Sequence, residues 1–173
     1  MKQLTTLLIF LLFCLSTGAK TRIINLGKKQ LSYAPTEYYI AAIKDDRADT
    51  TNFGYMHAGM GRRLMGVNLE GGLAVGLHRY INNYVTQNKD NTPVELHLVK
   101  LNIKERTRAG GERVDIRAEI DVYRSGEKIY QYTYDAFTQT GFDASYYIGS
   151  LLVQMTENFI EAFDKWMKEN NNK

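Results

Sequence analysis

The chain has 173 residues and nearly balanced charge, 22 Lys and Arg against 19 Asp and Glu, for a formal net charge of +3. That length suits one domain, and the balance leaves no concentrated basic face of the kind nucleic-acid binding needs. Aromatic residues at 12% of the chain, together with strong apolar alternation, exclude a disordered polymer.

Residues 1–19 read as a removable export signal. Lys2 is the charged start and Leu7-Leu8-Ile9-Phe10-Leu11-Leu12-Phe13-Cys14-Leu15 the apolar core. Thr17-Gly18-Ala19 is the small-residue cleavage site. The apolar run is too short to hold a stable membrane-spanning helix. Cys14 is the chain's one cysteine, so residues 20–173 carry no disulfide and no thiol chemistry. An exported chain without cysteine fits a bacterial envelope, periplasmic or associated with the outer membrane, better than a disulfide-built secreted domain. Phe13 stands where a lipoprotein signal places a small residue, which argues against lipid attachment at Cys14.

Residues 20–37 read as an N-terminal extension in which Ile23, Ile24 and Leu26 make a short edge strand. Residues 38–43 form a short apolar run, expected as a strand buried on both faces. It ends in Lys44-Asp45-Asp46-Arg47. Residues 49–68 hold Gly54, Gly59, Gly61 and Gly66, with Met56, Met60 and Met65 and the Arg62-Arg63 pair; glycine at that density predicts a long mobile loop. Residues 69–85 read as a helix, because Leu69, Leu73, Leu77, Tyr80, Ile81 and Tyr84 fall on one stripe.

Residues 94–103, 114–122 and 129–137 form a three-strand meander with period-two alternation, so one face is buried and one wet. The phase changes at Leu98-Val99, which predicts a bulge or a strand covered on both sides. Gly110-Gly111 lies in a polar turn, and Ser125-Gly126 signals a hairpin. Residues 141–169 read as a long helix with Asp143 as N-cap, followed by a frayed tail at 170–173. The expectation is a single α+β domain over 38–169: a four-stranded, mostly antiparallel sheet with two helices packed on one face.

The hairpin register decides where the tyrosines point. A two-residue Ser125-Gly126 turn sets Val122 against Ile129 on the core face and places Tyr130, Tyr132 and Tyr134 on the outer face, opposite Asp121, Glu119 and Arg117. A three-residue loop turns the tyrosines inward, since a slip of one residue flips every side chain. The first register is expected, because it buries Ile129 and leaves the phenol hydroxyls in water.

No motif for catalysis or metal binding stands out. His57, His78 and His97 lack ligand spacing. The Gly54–Arg63 segment has the glycines of a phosphate loop without its Lys-Ser/Thr ending. No serine sits in a nucleophile elbow. Asp45, Asp46 and His57 are the one plausible acid–base set, and a strand end followed by Asp and Arg is more often a salt-bridged turn. Cofactors and metals are not expected. The candidate binding residues are Tyr123, Tyr130, Tyr132 and Tyr134 on the sheet, which can stack on a sugar, peptide or second chain, and Met56, Met60, Arg62 and Arg63 in the glycine-rich segment.

The order strand, loop, helix, three-strand meander, helix behind an export signal carries a resemblance. Tyr39-Ile40-Ala41-Ala42-Ile43-Lys44-Asp45-Asp46-Arg47 with a later Gly54, the 114–122 strand, the Ser125-Gly126 turn and Tyr130/Tyr134 resemble YajG-like envelope lipoproteins. They are also similar to the auxiliary lipoproteins of envelope lipid-transport systems and to the small lipoprotein of lipopolysaccharide export. The resemblance spans residues 38–166 and implies two helices on one face of a four-stranded sheet, with no catalytic residues. Cys14 departs from the lipoprotein pattern. The expected function is a non-catalytic exported protein that binds or helps assemble an envelope component (lipid, glycan or protein) through an open sheet face, with possible membrane-surface contact. The alternatives are a hydrolytic or metal-dependent enzyme using Asp45, Asp46 and His57, and a self-associating protein, a homo-oligomer joined through the hairpin edge.

Overall fold

The computed structural model describes residues 21–58, 63–108, 110–141 and 143–170. In chain order these form β1 (Thr21–Ile23), β2 (Tyr38–Asp45), β3 (Gly54–Ala58), β4 (Arg63–Asn68), α1 (Leu73–Tyr84), β5 (Thr92–Arg108), β6 (Gly111–Arg124), β7 (Glu127–Thr140), a 3₁₀ turn (Ala144–Tyr147) and α2 (Ile148–Asn170). The expected export signal, Cys14, Met60, Arg62 and the extreme C-terminal tail lie outside the described residues.

The long meander follows from its sequence pattern. In β6, Val114, Ile116, Ala118, Ile120 and Val122 are all buried, while Arg117 between them is exposed. The expected bulge is present: β5–β6 pairing skips between Leu98 and Lys100, leaving Val99 partly exposed.

The sheet is larger than the expected four antiparallel strands. It has seven strands in the order β1-β4-β3-β5-β6-β7, with β2 also beside β5, and it is mixed. β2 and β3 both run parallel to β5. Tyr38 to Asp45 lies along Thr92 to Leu98, and Gly54-Tyr55 lies along Ile103-Lys104. One parallel lane is thus interrupted by the segment 46–53. The segment read as a mobile loop is, over its described part, the antiparallel pair β3–β4, and β4 in turn pairs parallel with β1. Neither parallel lane has a hairpin turn to announce it, so the sequence pattern alone does not show it.

Close approach of chains, not mobility, explains Gly54. A Cβ there would lie 2.2 Å from the Ile103 carbonyl oxygen. Next to it, Ile103 N–H donates to Phe53 O at 2.9 Å. Gly54→Ala is expected to push β3 off β5 at a cost of about 1–3 kcal/mol. Amide hydrogen exchange checks it: protection at Ile103 should fall while that of β6 persists.

β2 departs from expectation in burial. Tyr38 and Ile40 are buried, but Ala41 sits at a bulge and is exposed, as is Lys44. Residues 21–37 run along the domain and are stitched to it. β1 pairs with β4, Leu31 is buried, and its N–H donates to Tyr84 O.

Both helices feed one continuous core. α1 buries Leu73, Leu77, Tyr80 and Ile81, a stripe at three- and four-residue steps. α2 buries Ile148, Leu151, Leu152, Met155, Phe159 and Phe163. Asp143 caps the 3₁₀ turn that precedes α2, accepting from Ser145 N–H. Tyr38 of β2 is tied to α2, its ring 4.5 Å from that of Phe163 and its hydroxyl donating to Ile160 O. No helix among the described residues is long and apolar enough to cross a membrane.

Candidate functional site

The hairpin register is the inward one. Ser125 (φ 53°) and Gly126 (φ 85°) form the two-residue, left-handed turn that suits a hairpin. Pairing then skips a residue: Tyr123 faces Lys128 and Val122 faces Tyr130, so Ile129 is bulged out. That one residue reverses every later side chain. Tyr130, Tyr132 and Tyr134 lie opposite the buried Val122, Ile120 and Ala118 and pack beneath α2. The Tyr130 ring is 5.3 Å from Trp166, and the Tyr132 ring 5.5 Å from Phe159. Burial, followed by the neighbouring phenols, pushes the Tyr132 hydroxyl up to about 12. The expected tyrosine docking surface on the open side therefore does not exist. Of the four candidate tyrosines, Tyr123 alone faces outward, its ring tilted against that of His97 with centroids 4.1 Å apart.

Among the described residues no helix covers the outer face of β5, β6 and β7, which is largely a lattice of paired charges. Lys128 meets Asp121 at 2.7 Å, Arg117 meets Asp135 at 2.9 Å, and Arg106 reaches Asp115 at 3.3 Å. Arg113 lies over the Phe137 ring at 3.7 Å. Lys100 and Lys104 are exposed on this face and, among the described residues, have no ion-pair partner. They alternate with the exposed Asn102 on β5, beside exposed Tyr55 of β3.

The acid–base set is not brought together. Asp45 binds Arg47 through two contacts of 2.7 Å, and Arg47 also donates to Asn52 O. Asp46 meets His97 Nδ1 at 2.6 Å. His57 lies with Glu105, whose Oε2 accepts from the His57 N–H at 2.9 Å and whose Oε1 is 3.7 Å from Nδ1. These three groups serve three separate local contacts. The Asp45–Arg47 pair is the salt-bridged turn expected of a strand end followed by Asp and Arg, but strand alternation could not reveal the other two, because His97 and Glu105 lie about fifty residues from their partners.

Two further features went unread in the sequence. Glu105, Glu112 and Asp143 each offer a carboxylate oxygen within 4.8 Å of the others. Burial pushes the Glu105 carboxyl up, opposed by the His57 backbone N–H. Glu112 accepts from Ala144 N–H and Asp143 from Ser145 N–H, so these carboxylates cap the turn into α2. The other feature is a cleft of about 540 Å³ between residues 23–27 and α1, walled by Ile24, Leu26, Leu69, Tyr80 and Tyr84. Its rim carries the Arg79–Glu70 pair at 2.8 Å.

Of the glycine-rich segment, Met56 is fully buried and belongs to the core, whereas Arg63 is exposed at the start of β4.

No family model matches the chain. Nor does any curated protein. Among solved structures it is similar to an uncharacterized protein at 12% identity, over 87% of this chain and 99% of the other, with a TM-score of 0.44. It is also similar to a Xanthomonas campestris protein of the DUF330 family at 7% identity, over 89% of this chain and 96% of the other, with a TM-score of 0.49. Neither likeness is close enough to transfer a role.

Proposed function

We propose that the protein is a non-catalytic component of a bacterial envelope, exported by residues 1–19, which holds a partner against the uncovered outer face of β5, β6 and β7. The observation that carries this reading is the separation of Asp45, Asp46 and His57 into three unrelated pairs, on long strands that the helices among the described residues roof on one side. The resemblance to YajG-like lipoproteins and to lipid-transport auxiliary lipoproteins supports the same reading. The contact centre is the β5 stretch carrying Lys100, Asn102 and Lys104, where the two cations have no ion-pair partner among the described residues. That favours an anionic surface opposite them.

A photo-crosslinking residue at position 102, introduced in the native cell, is expected to yield a discrete adduct. The same probe at Glu161, exposed on α2, should yield none. Lys100→Glu with Lys104→Glu should abolish the adduct, whereas Asp45→Asn with Asp46→Asn should leave both adduct and cellular function in place. Loss of function in the aspartate pair, with the adduct retained, would turn the reading towards the enzyme.

A further inference from the structure

Among the described residues the sheet has three free edges, and they differ in protection. β1 is only three residues long. β2 is broken by the bulge at Ala41, and its Ile40 N–H is taken up by the Gln87 side chain at 2.8 Å. β7 has neither device along its middle. It runs fourteen residues at the end of the sheet, and past the bulge at Ile129 its pairing with β6 is unbroken to Thr140. Its sequence, Tyr130-Gln131-Tyr132-Thr133-Tyr134-Asp135-Ala136-Phe137-Thr138, is rich in the residues that favour strands, holds no proline and has one charge. An edge of that length with one side of its backbone unpaired is a template for another strand.

We propose that β7 is the seam of a two-fold dimer, pairing antiparallel with β7 of a second copy about Thr133. Three observations select a second copy as occupant. Thr133 lies near the middle of the strand, so pairing about it uses nearly the full edge. On the inner face this register sets Tyr132 of each copy against Tyr134 of the other, extending the row in which these rings already stack at 6.3 Å. The three tyrosines are only partly buried in the single chain, and a neighbouring copy would cover more of them. On the outer face Asp135 meets the uncharged Gln131. Centring on Asp135 would set two carboxylates face to face, and centring on Gln131 would bring Asp135 towards Glu127. This seam is independent of the outer-face contact proposed above, since it uses the strand's edge and not its face.

Thr133→Lys tests it without disturbing the single chain. Thr133 is exposed and faces Glu119 of β6, so a lysine there gains a favourable neighbour within its own copy. Across the two-fold axis the two lysines would oppose each other. Light scattering on a dilution series of the wild-type chain is expected to give twice the monomer mass. Thr133→Lys should weaken the dimer at least about tenfold. Mixing it in equal amounts with Thr133→Glu should restore the dimer. A wild-type chain that stays monomeric through the series overturns the proposal. So does a lysine variant that dimerises like wild type, or a mixture that fails to recover.

Discussion

Replacing Asp164 with alanine is expected to cost the fold about 2–4 kcal/mol, because it strips the shared acceptor from four part-buried donors. Asp164 lies on α2 and is fully buried. Its Oδ2 accepts from the Tyr33 hydroxyl at 2.7 Å and from Lys168 Nζ at 2.7 Å; its Oδ1 accepts from Thr36 N–H at 2.8 Å and Glu37 N–H at 3.1 Å. One carboxylate thus fastens the N-terminal segment to the C-terminal helix, across more than 120 residues of chain. Lys168 can turn to water when the carboxylate is gone, whereas the part-buried Thr36 and Glu37 amides lose the acceptor that holds them to α2. Thermal unfolding checks this, with a fall of about 2–4 °C for each kcal/mol lost in a chain of this size.

The same group sets an acid limit. Burial pushes the Asp164 carboxyl up, yet the hydrogen bonds from Lys168, Tyr33, Thr36 and Glu37 outweigh it and hold the carboxyl below its ordinary 3.8. A depressed folded value means the contribution is complete above the unfolded value and is lost as pH falls through the folded one. The wild-type chain should therefore lose stability below about pH 4 through this group. Asp164→Ala should lack that part of the acid slope while starting from a lower plateau.

The second large effect is at Phe163. Its ring is 4.5 Å from Tyr38, 5.2 Å from Tyr130, 5.7 Å from Trp166 and 5.9 Å from Phe159, and it is fully buried. Phe163→Ala removes the ring that joins β2, β7 and both neighbouring turns of α2. A cost of about 3–5 kcal/mol is expected for an aromatic truncated in a packed core. Trp166 is the only tryptophan, so its emission reports the site directly. A red shift in the native state should accompany the stability loss. Unchanged emission with unchanged stability would show that the aromatic cluster does not hold α2 to the sheet.

Residue patterns carried the meander, both helices and the Val99 bulge. Each of these rests on an interaction that repeats every two residues, or every three and four, and so leaves a period in the sequence. The segment 54–68 leaves no such period. Gly54 is required by the Ile103 carbonyl of another strand, and nothing adjacent in the chain signals that neighbour. The role of Asp164 was equally hidden. On the helix pattern it falls among Glu157, Glu161, Lys165 and Lys168 on the wet side, and only the arrival of residues 33–37 buries it.

What the chain determines by itself, then, is the α+β class, the three long antiparallel strands and two amphipathic helices. Period-two and helical alternation are local properties, and burial of one face follows from them wherever the partner comes from. Tertiary structure alone decided the parallel lanes, the dispersal of Asp45, Asp46 and His57, and the direction of the tyrosines. Parallel partners meet across long stretches of chain without a turn to mark them. A single bulged residue at Ile129, settled by packing under α2, reverses the face of every residue after it.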